Sequence, residues 1–148
     1  MELALRQAKA AGERGEVPVG AVLVAPDGSI IAQDGNRTLE HRDPSAHAEL
    51  LVIRKACEIV GSERLVGHDL YVTLEPCTMC AGLISFARIR RLYFGAYDPK
   101  SGGVEQGASF FAQKTCHHAP EIYGGMDEIR CGKLLSAFFA NRRQTITS

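Results

Sequence analysis

The sequence predicts a three-layer α/β/α sandwich on a five-stranded mixed sheet. Three observations lead there. Apolar residues alternate or run together in five short segments bounded by Gly, Pro and Asp. Helical periodicity fills most of the intervals between those segments. The resulting order, α-β-β-α-β-α-β-(loop)-β-α, sets helices after most strands, and those helices must cover both faces of the sheet. At 148 residues, with no repeat, low-complexity tract or long linker, the chain is expected to form one domain spanning residues 1–148.

Each element has a local cause. Residues 2–12 form a short amphipathic helix, ended by Gly12 and Gly15. Val17 to Ala25 is almost continuously apolar and β-branched, as a strand buried on both faces requires. Pro26-Asp27-Gly28-Ser29 supplies a turn, so Ile30 to Asp34 returns as the second strand of a hairpin. Asn36 to Ser45 is a polar loop. Across residues 46–60, Ala46, Leu50, Ile53, Cys57 and Val60 recur at helical spacing, and Gly61 stops the helix. Leu70, Val72 and Leu74 alternate in a third strand that Pro76 ends. A helix over residues 78–87 and a strand over residues 91–96 follow. Residues 98–119 are rich in loop formers, with a short helix around Ser109 to Gln113. Glu121 to Tyr123 forms a last short strand. Asp127 opens a final helix with its stripe on Cys131, Leu134, Leu135 and Phe138.

Composition excludes several classes. The chain is 45% hydrophobic and 23% charged, which is neither disordered nor collagen-like. No apolar run approaches the ~18 residues of a membrane span, and the first residues lack the apolar core of a signal peptide. Formal charge sums to zero, which argues against non-specific coating of nucleic acid. Residues 1–74 are net acidic and residues 75–148 net basic, so a phosphate-bearing partner is expected to meet the second half. Five cysteines, an odd count without a secretory signal, point to a reducing compartment, and hence to metal or catalysis over a disulfide framework.

Two segments carry the chemistry: His47-Ala48-Glu49 and Pro76-Cys77-Thr78-Met79-Cys80. One helix and one strand fit between them, which brings two helix N-termini to the same edge of the sheet. Cys77 and Cys80, three apart at a helix start, can converge on one ion, and a helix N-terminus favours thiolate. With the His47 nitrogen they make a three-ligand set that leaves a fourth position open for water, the catalytic zinc arrangement. Bound zinc lowers the pKa of that water towards ~7. Glu49, two residues beyond His47, diverges from it on the helix and is expected to shuttle protons instead of ligating. The backbone N–H of Ala48, at the helix start, is a donor for an oxygen developing on the substrate.

These residues, as His-x-Glu and Pro-Cys-x-x-Cys, resemble the zinc-dependent cytidine deaminase superfamily, whose signature they match. The resemblance extends over nearly the whole chain. Glu16 to Ala21, Gly35-Asn36-Arg37, Leu70 to Cys77, Phe94-Gly95-Ala96 and Asp98-Pro99-Lys100 resemble the bacterial tRNA-specific adenosine deaminases. The resemblance implies a cytidine deaminase-like fold, a cytoplasmic homodimer with active sites near the subunit interface, and one zinc ion per subunit. It also implies hydrolytic deamination of the wobble adenosine to inosine in the anticodon stem-loop of an arginine tRNA. DNA and membranes are not expected partners. By motif position, His47, Cys77 and Cys80 bind zinc and Glu49 shuttles protons. Asn36 hydrogen-bonds the purine, and Val17 lines the base pocket. Asp98, Lys100, Phe138, Phe139, Arg142 and Arg143 meet flanking nucleotides.

Other readings stay open from the residues alone. A deaminase of the same fold acting on a free base such as guanine shares the zinc machinery. A non-catalytic zinc-binding module would survive loss of Glu49. A redox dithiol would need Cys77 but not His47. Cys116-His117-His118 has the look of a second metal patch but lacks an acidic or thiol partner at suitable spacing, and reads as a polar loop.

Overall fold

The computed structural model describes the backbone of residues 1–147 and the side chains of residues 1–143. Its elements run α1 (Glu2–Glu13), β1 (Gly20–Val24), β2 (Ile30–Gly35), α2 (Ala48–Val60), β3 (Asp69–Leu74), α3 (Thr78–Phe86), β4 (Arg91–Ala96), a 3-10 turn (Phe110–Ala112), β5 (Glu121–Tyr123) and α4 (Glu128–Thr147). The strands lie in the order β2-β1-β3-β4-β5. β1 pairs antiparallel with both β2 and β3, while β3–β4 and β4–β5 are parallel. The sheet is therefore mixed, with β1 the one strand running against the rest. Helices α1 and α4 pack together on one face, and α2 and α3 on the other. This is the three-layer sandwich that the alternation of elements predicts.

Several boundaries differ from the sequence reading by one to three residues, and three of the differences have a local reason. β1 begins at Gly20, not Val17, because Pro18 has no N–H to give a ladder and Val19 N–H turns back to the Val17 carbonyl at 2.8 Å. Helix α2 begins at Ala48, not Ala46, because His47 is extended, with φ −75° and ψ 153°. Helix α4 begins at Glu128 because Asp127 has φ +53°, which no helix accepts.

The core lies between the sheet and α2–α3. Leu23, Val52, Ile53, Leu70, Val72, Ile84, Leu92 and Phe94 are all buried there. A smaller cluster, Leu5, Ala96 and Cys131, seals the other face. Cys131 is thus core, as its place on the apolar stripe predicts, and Cys57 is half-buried against the main cluster. Gly20 lets α1 press directly on β1, since a Cβ there would overlap the Ala4 carbonyl oxygen. Among the described residues no helix is long and apolar enough to cross a membrane.

Candidate metal centre and active site

The N-termini of α2 and α3 meet at the C-terminal end of β3. His47 is the N-cap residue of α2 and Cys77 that of α3, and Cys80 lies in the first turn of α3. Both caps are extended and neither makes a side-chain cap hydrogen bond. Their side chains are turned towards each other instead. His47 Nδ1 stands 3.6 Å from Cys77 Sγ and 3.6 Å from Cys80 Sγ. All three donor atoms lie within 4.8 Å of one another, the one such group of three among the described residues.

The electrostatics of this group are those of a cation site held by protons. The hydrogen bond with Cys80 holds the Cys77 thiol down to about 4, with His47 assisting against burial. Cys80 is pushed up by its hydrogen bond to Cys77 and by burial. The hydrogen bond with Cys77 raises His47 against its own burial. One thiolate, one thiol and one imidazole therefore share protons where a cation can displace them. Two sulfurs and a nitrogen suit zinc, and three protein donors leave a coordination position over. The residues present fit the metal.

Glu49 is 4% exposed, and burial pushes its carboxyl above the usual carboxylate range. Its carboxyl also contacts the Cys80 thiol. It stands on the first turn of α2, beside the donor group, and faces a cavity of about 240 Å³. Val17, Asn36, Thr38, His47, Glu75 and Asp98 are among the lining residues. The structure thus gathers Val17, Asn36, His47, Glu49, Cys77 and Asp98 around one hollow, with Cys80 buried behind it.

Other expected site residues are placed elsewhere. The Ala48 N–H, expected to meet an oxygen on the substrate, is donated to Asn36 Oδ1 at 2.8 Å, so that donor is committed within the chain. The Ala48 side chain is core. Lys100 is exposed on the loop after β4, outside the cavity lining, and its N–H is held by Asp98 Oδ1 at 3.2 Å. Phe138 and Phe139 meet edge to face on α4, with ring centres 5.4 Å apart. The Arg142 guanidinium lies 4.7 Å from the Phe138 ring centre and donates to the Gly15 carbonyl at 2.7 Å. It thereby docks α4 on the turn before β1. Arg143 is exposed and also has a partner within the chain. Cys116 and His118 are tied to Ser85 and to the Ile89 carbonyl, as a loop fastening to α3 would be.

Sequence reasoning assigned no role to two buried carboxylates. Glu16, 2% exposed, accepts N–H bonds from Leu39 and Glu40 and a bond from the Thr38 hydroxyl, and so braces the loop between Asn36 and His47. Glu75 braces the loop on the opposite wall. Glu75 sits beside Pro76 at the end of β3 and Glu16 two residues before Pro18, but spacing carries no mark of a carboxylate aimed inward.

Known proteins agree with this geometry. A family model for the cytidine and deoxycytidylate deaminase zinc-binding region matches residues 1–96. A tRNA-specific adenosine deaminase of Agrobacterium fabrum is 64% identical over 143 residues, covering 97% of this chain and 93% of the relative. A solved structure from studies of A-to-I editing by tRNA:A34 deaminases superposes with a TM-score of 0.89. It is 65% identical and covers 91% of this chain and 97% of its own. A guanine deaminase from Bacillus subtilis is more distant, with a TM-score of 0.65 and 32% identity over 96% of this chain and 90% of its own. The chain belongs to the cytidine and deoxycytidylate deaminase zinc-binding family and, within it, to the bacterial tRNA-specific adenosine deaminases.

Proposed function

We propose that this chain deaminates the wobble adenosine of a tRNA anticodon loop to inosine, with an arginine tRNA as substrate. The observation that carries the reading is the placement of Glu49 beside the His47, Cys77 and Cys80 donors at the floor of a cavity sized for one base. A protein with a merely structural zinc has no use for a buried carboxyl beside an open donor set.

His47, Cys77 and Cys80 would hold zinc. Its Lewis acidity, once bound, makes water a nucleophile at neutral pH. Glu49 carries the protons. It takes one from water as the oxygen bonds to C6 of adenine and gives it to ring N1. It then passes the second water proton to the exocyclic nitrogen, which departs as ammonia. C6 keeps the oxygen and N1 keeps its hydrogen, which is hypoxanthine. Asn36 donates from its amide nitrogen to the purine, since its oxygen is used within the chain. Val17 packs on the base. An unpaired loop base leaves its stack at little cost, which suits an anticodon loop.

The same reading takes the chain as one deaminase domain that works in the cytoplasm as a homodimer. Support for the dimer comes from the open groove between α2 and α3, where Phe86 is 74% exposed beside half-buried Leu83. Sedimentation or light scattering tests it, and a monomer at assay concentration would remove it. Asp98 and Lys100, with Phe138, Phe139, Arg142 and Arg143, are assigned to nucleotides flanking the target.

The test is a deamination assay with zinc-loaded protein on an anticodon stem-loop bearing wobble adenosine. Free guanine, adenosine, cytosine and cytidine are run in parallel. Inosine in the stem-loop alone is the expected result. Turnover of free guanine with an untouched stem-loop would move the function to nucleobase metabolism.

A further inference from the structure

Glu75 follows β3 and directly precedes Pro76 and Cys77. It is 2% exposed, and a carboxylate taken out of water must be met by donors. Four donors meet it, all of them backbone N–H groups of one loop. Asp98 donates to Oε1 at 3.0 Å. Val104, Glu105 and Gln106 donate to Oε2 at 3.2, 2.8 and 2.9 Å. One side chain thus gathers both ends of the 98–106 segment.

That segment is fitted closely to the metal-binding helix. Gly103 N–H donates to the Pro76 carbonyl at 2.8 Å, and Gly102 bridges to Cys77. A Cβ on Gly102 would lie 2.7 Å from the Glu75 carboxyl carbon, and one on Gly103 would lie 2.5 Å from Thr78 N. Only glycine allows so close an approach. The segment then presents Asp98 and Ser101 to the cavity, opposite Asn36. The Asp98 carboxylate, for its part, holds the N–H groups of Lys100 and Ser101.

We propose that Glu75 is a positioning residue for the reaction: its carboxylate holds the 98–106 segment so that Asp98 meets the substrate. It governs how the nucleic acid is held, not the metal and not proton transfer. This rests on the reading of the cavity as a nucleic acid deaminase site.

The variant Glu75→Gln tests it with little change of shape. An amide offers one accepting oxygen and one donating nitrogen. With the oxygen kept on Val104, Glu105 and Gln106, the nitrogen faces the Asp98 N–H, donor against donor. The expected result is a KM for the stem-loop raised about tenfold, with kcat within about twofold and zinc content unchanged. In an Asp98→Ala background the same substitution should add little, because both changes act through one contact. A purely structural role would lower thermal stability without this split, and its effect would add to that of Asp98→Ala. Either result overturns the proposal. If Glu75→Gln does not fold, Gly102→Ala displaces the segment from an intact Glu75 and should raise KM alike, and an unchanged KM there also overturns it. Wild-type protein that leaves the stem-loop untouched would overturn the functional reading, and this proposal with it. Wild-type turnover with additive effects would overturn the proposal alone.

Discussion

Asn36 Oδ1 accepts the backbone N–H of Ala48 at 2.8 Å, and so caps a helix twelve residues further along the chain. The residue in the cap position, His47, has its ring turned to the two thiols and makes no cap bond. Asn36 therefore does for α2 what His47 would otherwise do locally. The histidine is released to serve as a ligand, and the Asn36 amide nitrogen is left for the cavity.

This division of labour separates two variants. Asn36→Asp keeps an acceptor for Ala48 but has no amide donor. It should unfold at nearly the wild-type temperature and lose at least about tenfold in kcat/KM on the stem-loop. Asn36→Ala loses the cap as well and should cost about 1 kcal/mol of stability. Thermal melts with paired kinetics decide it, and a fully active Asn36→Asp would refute the donor role.

Glu49→Ala should lower turnover by at least about a hundredfold while zinc content stays at the wild-type level. Cys80→Ser should lose zinc and turnover together. Metal analysis alongside the assay distinguishes the two. Loss of zinc from Glu49→Ala would make Glu49 a ligand or a structural support and not a proton carrier.

Glu16 gives a stability prediction with a defined sign. Burial pushes its carboxyl up, but the N–H groups of Glu40 and Leu39, the Thr38 hydroxyl and nearby Arg14 outweigh burial and hold it below its ordinary 4.5. A carboxylate lowered on folding stabilises the native state fully above that ordinary value, and the contribution fades as pH falls below it. The melting temperature of wild type should exceed that of Glu16→Gln at pH 7, and the gap should close under acid. A gap that stays constant from pH 7 to well below 4.5 would contradict the assignment.

Asp98→Asn keeps an oxygen for the N–H groups of Lys100 and Ser101 but removes a negative charge from the cavity wall. The turn should survive and zinc binding should not change. The ratio of activity on tRNA stem-loop to activity on single-stranded DNA should fall. An unchanged ratio would leave Asp98 without a part in selecting the nucleic acid.

Salt dependence separates the basic residues. Lys100 is exposed and its backbone N–H is held by Asp98 Oδ1, whereas the Arg142 guanidinium is occupied by the Gly15 carbonyl and the Phe138 ring. Lys100→Ala should therefore reduce the slope of log KM against log salt by about 0.7, the share of one phosphate on a single strand. Arg142→Ala should reduce the slope by less, because that guanidinium is partly held within the chain, and should loosen the end of α4 as well. The opposite order would make Arg142 the stronger phosphate contact.

How much of this is legible in the sequence depends on distance along the chain. The strands and helices follow from local periodicity. So do the donors, because His47, Cys77 and Cys80 each stand at a helix start marked by turn residues. The cap from Asn36 to Ala48 is not legible, because a free N–H at a helix start gives no sign of an acceptor arriving from another loop. Glu16 and Glu75 escape notice for a related reason. An acidic residue one or two positions before a proline reads as surface, and only the folded loops reveal the amides around it. The α4 residues carry two readings at once: a basic, aromatic helix end suits an RNA contact, and the Arg142 guanidinium also docks the helix on the chain's own Gly15 carbonyl.

The placement of β1 also governs how the protein assembles. Its hairpin with β2 joins near neighbours, such as Val24 opposite Ile30, and can close quickly. Its other edge must find β3, setting Ala21 opposite Val72 only after a long stretch of chain that includes α2 has been closed. Parallel β3 and β4 meet across the much shorter α3 crossover. Entropy of loop closure thus makes the β1–β3 seam the late event in folding. Asn36 and His47 arrive with one side of that seam and Cys77 with the other. The chain becomes competent only at its final join, and a substitution that slows the seam, such as one at Val22 or Tyr71, delays the appearance of activity more than that of helix.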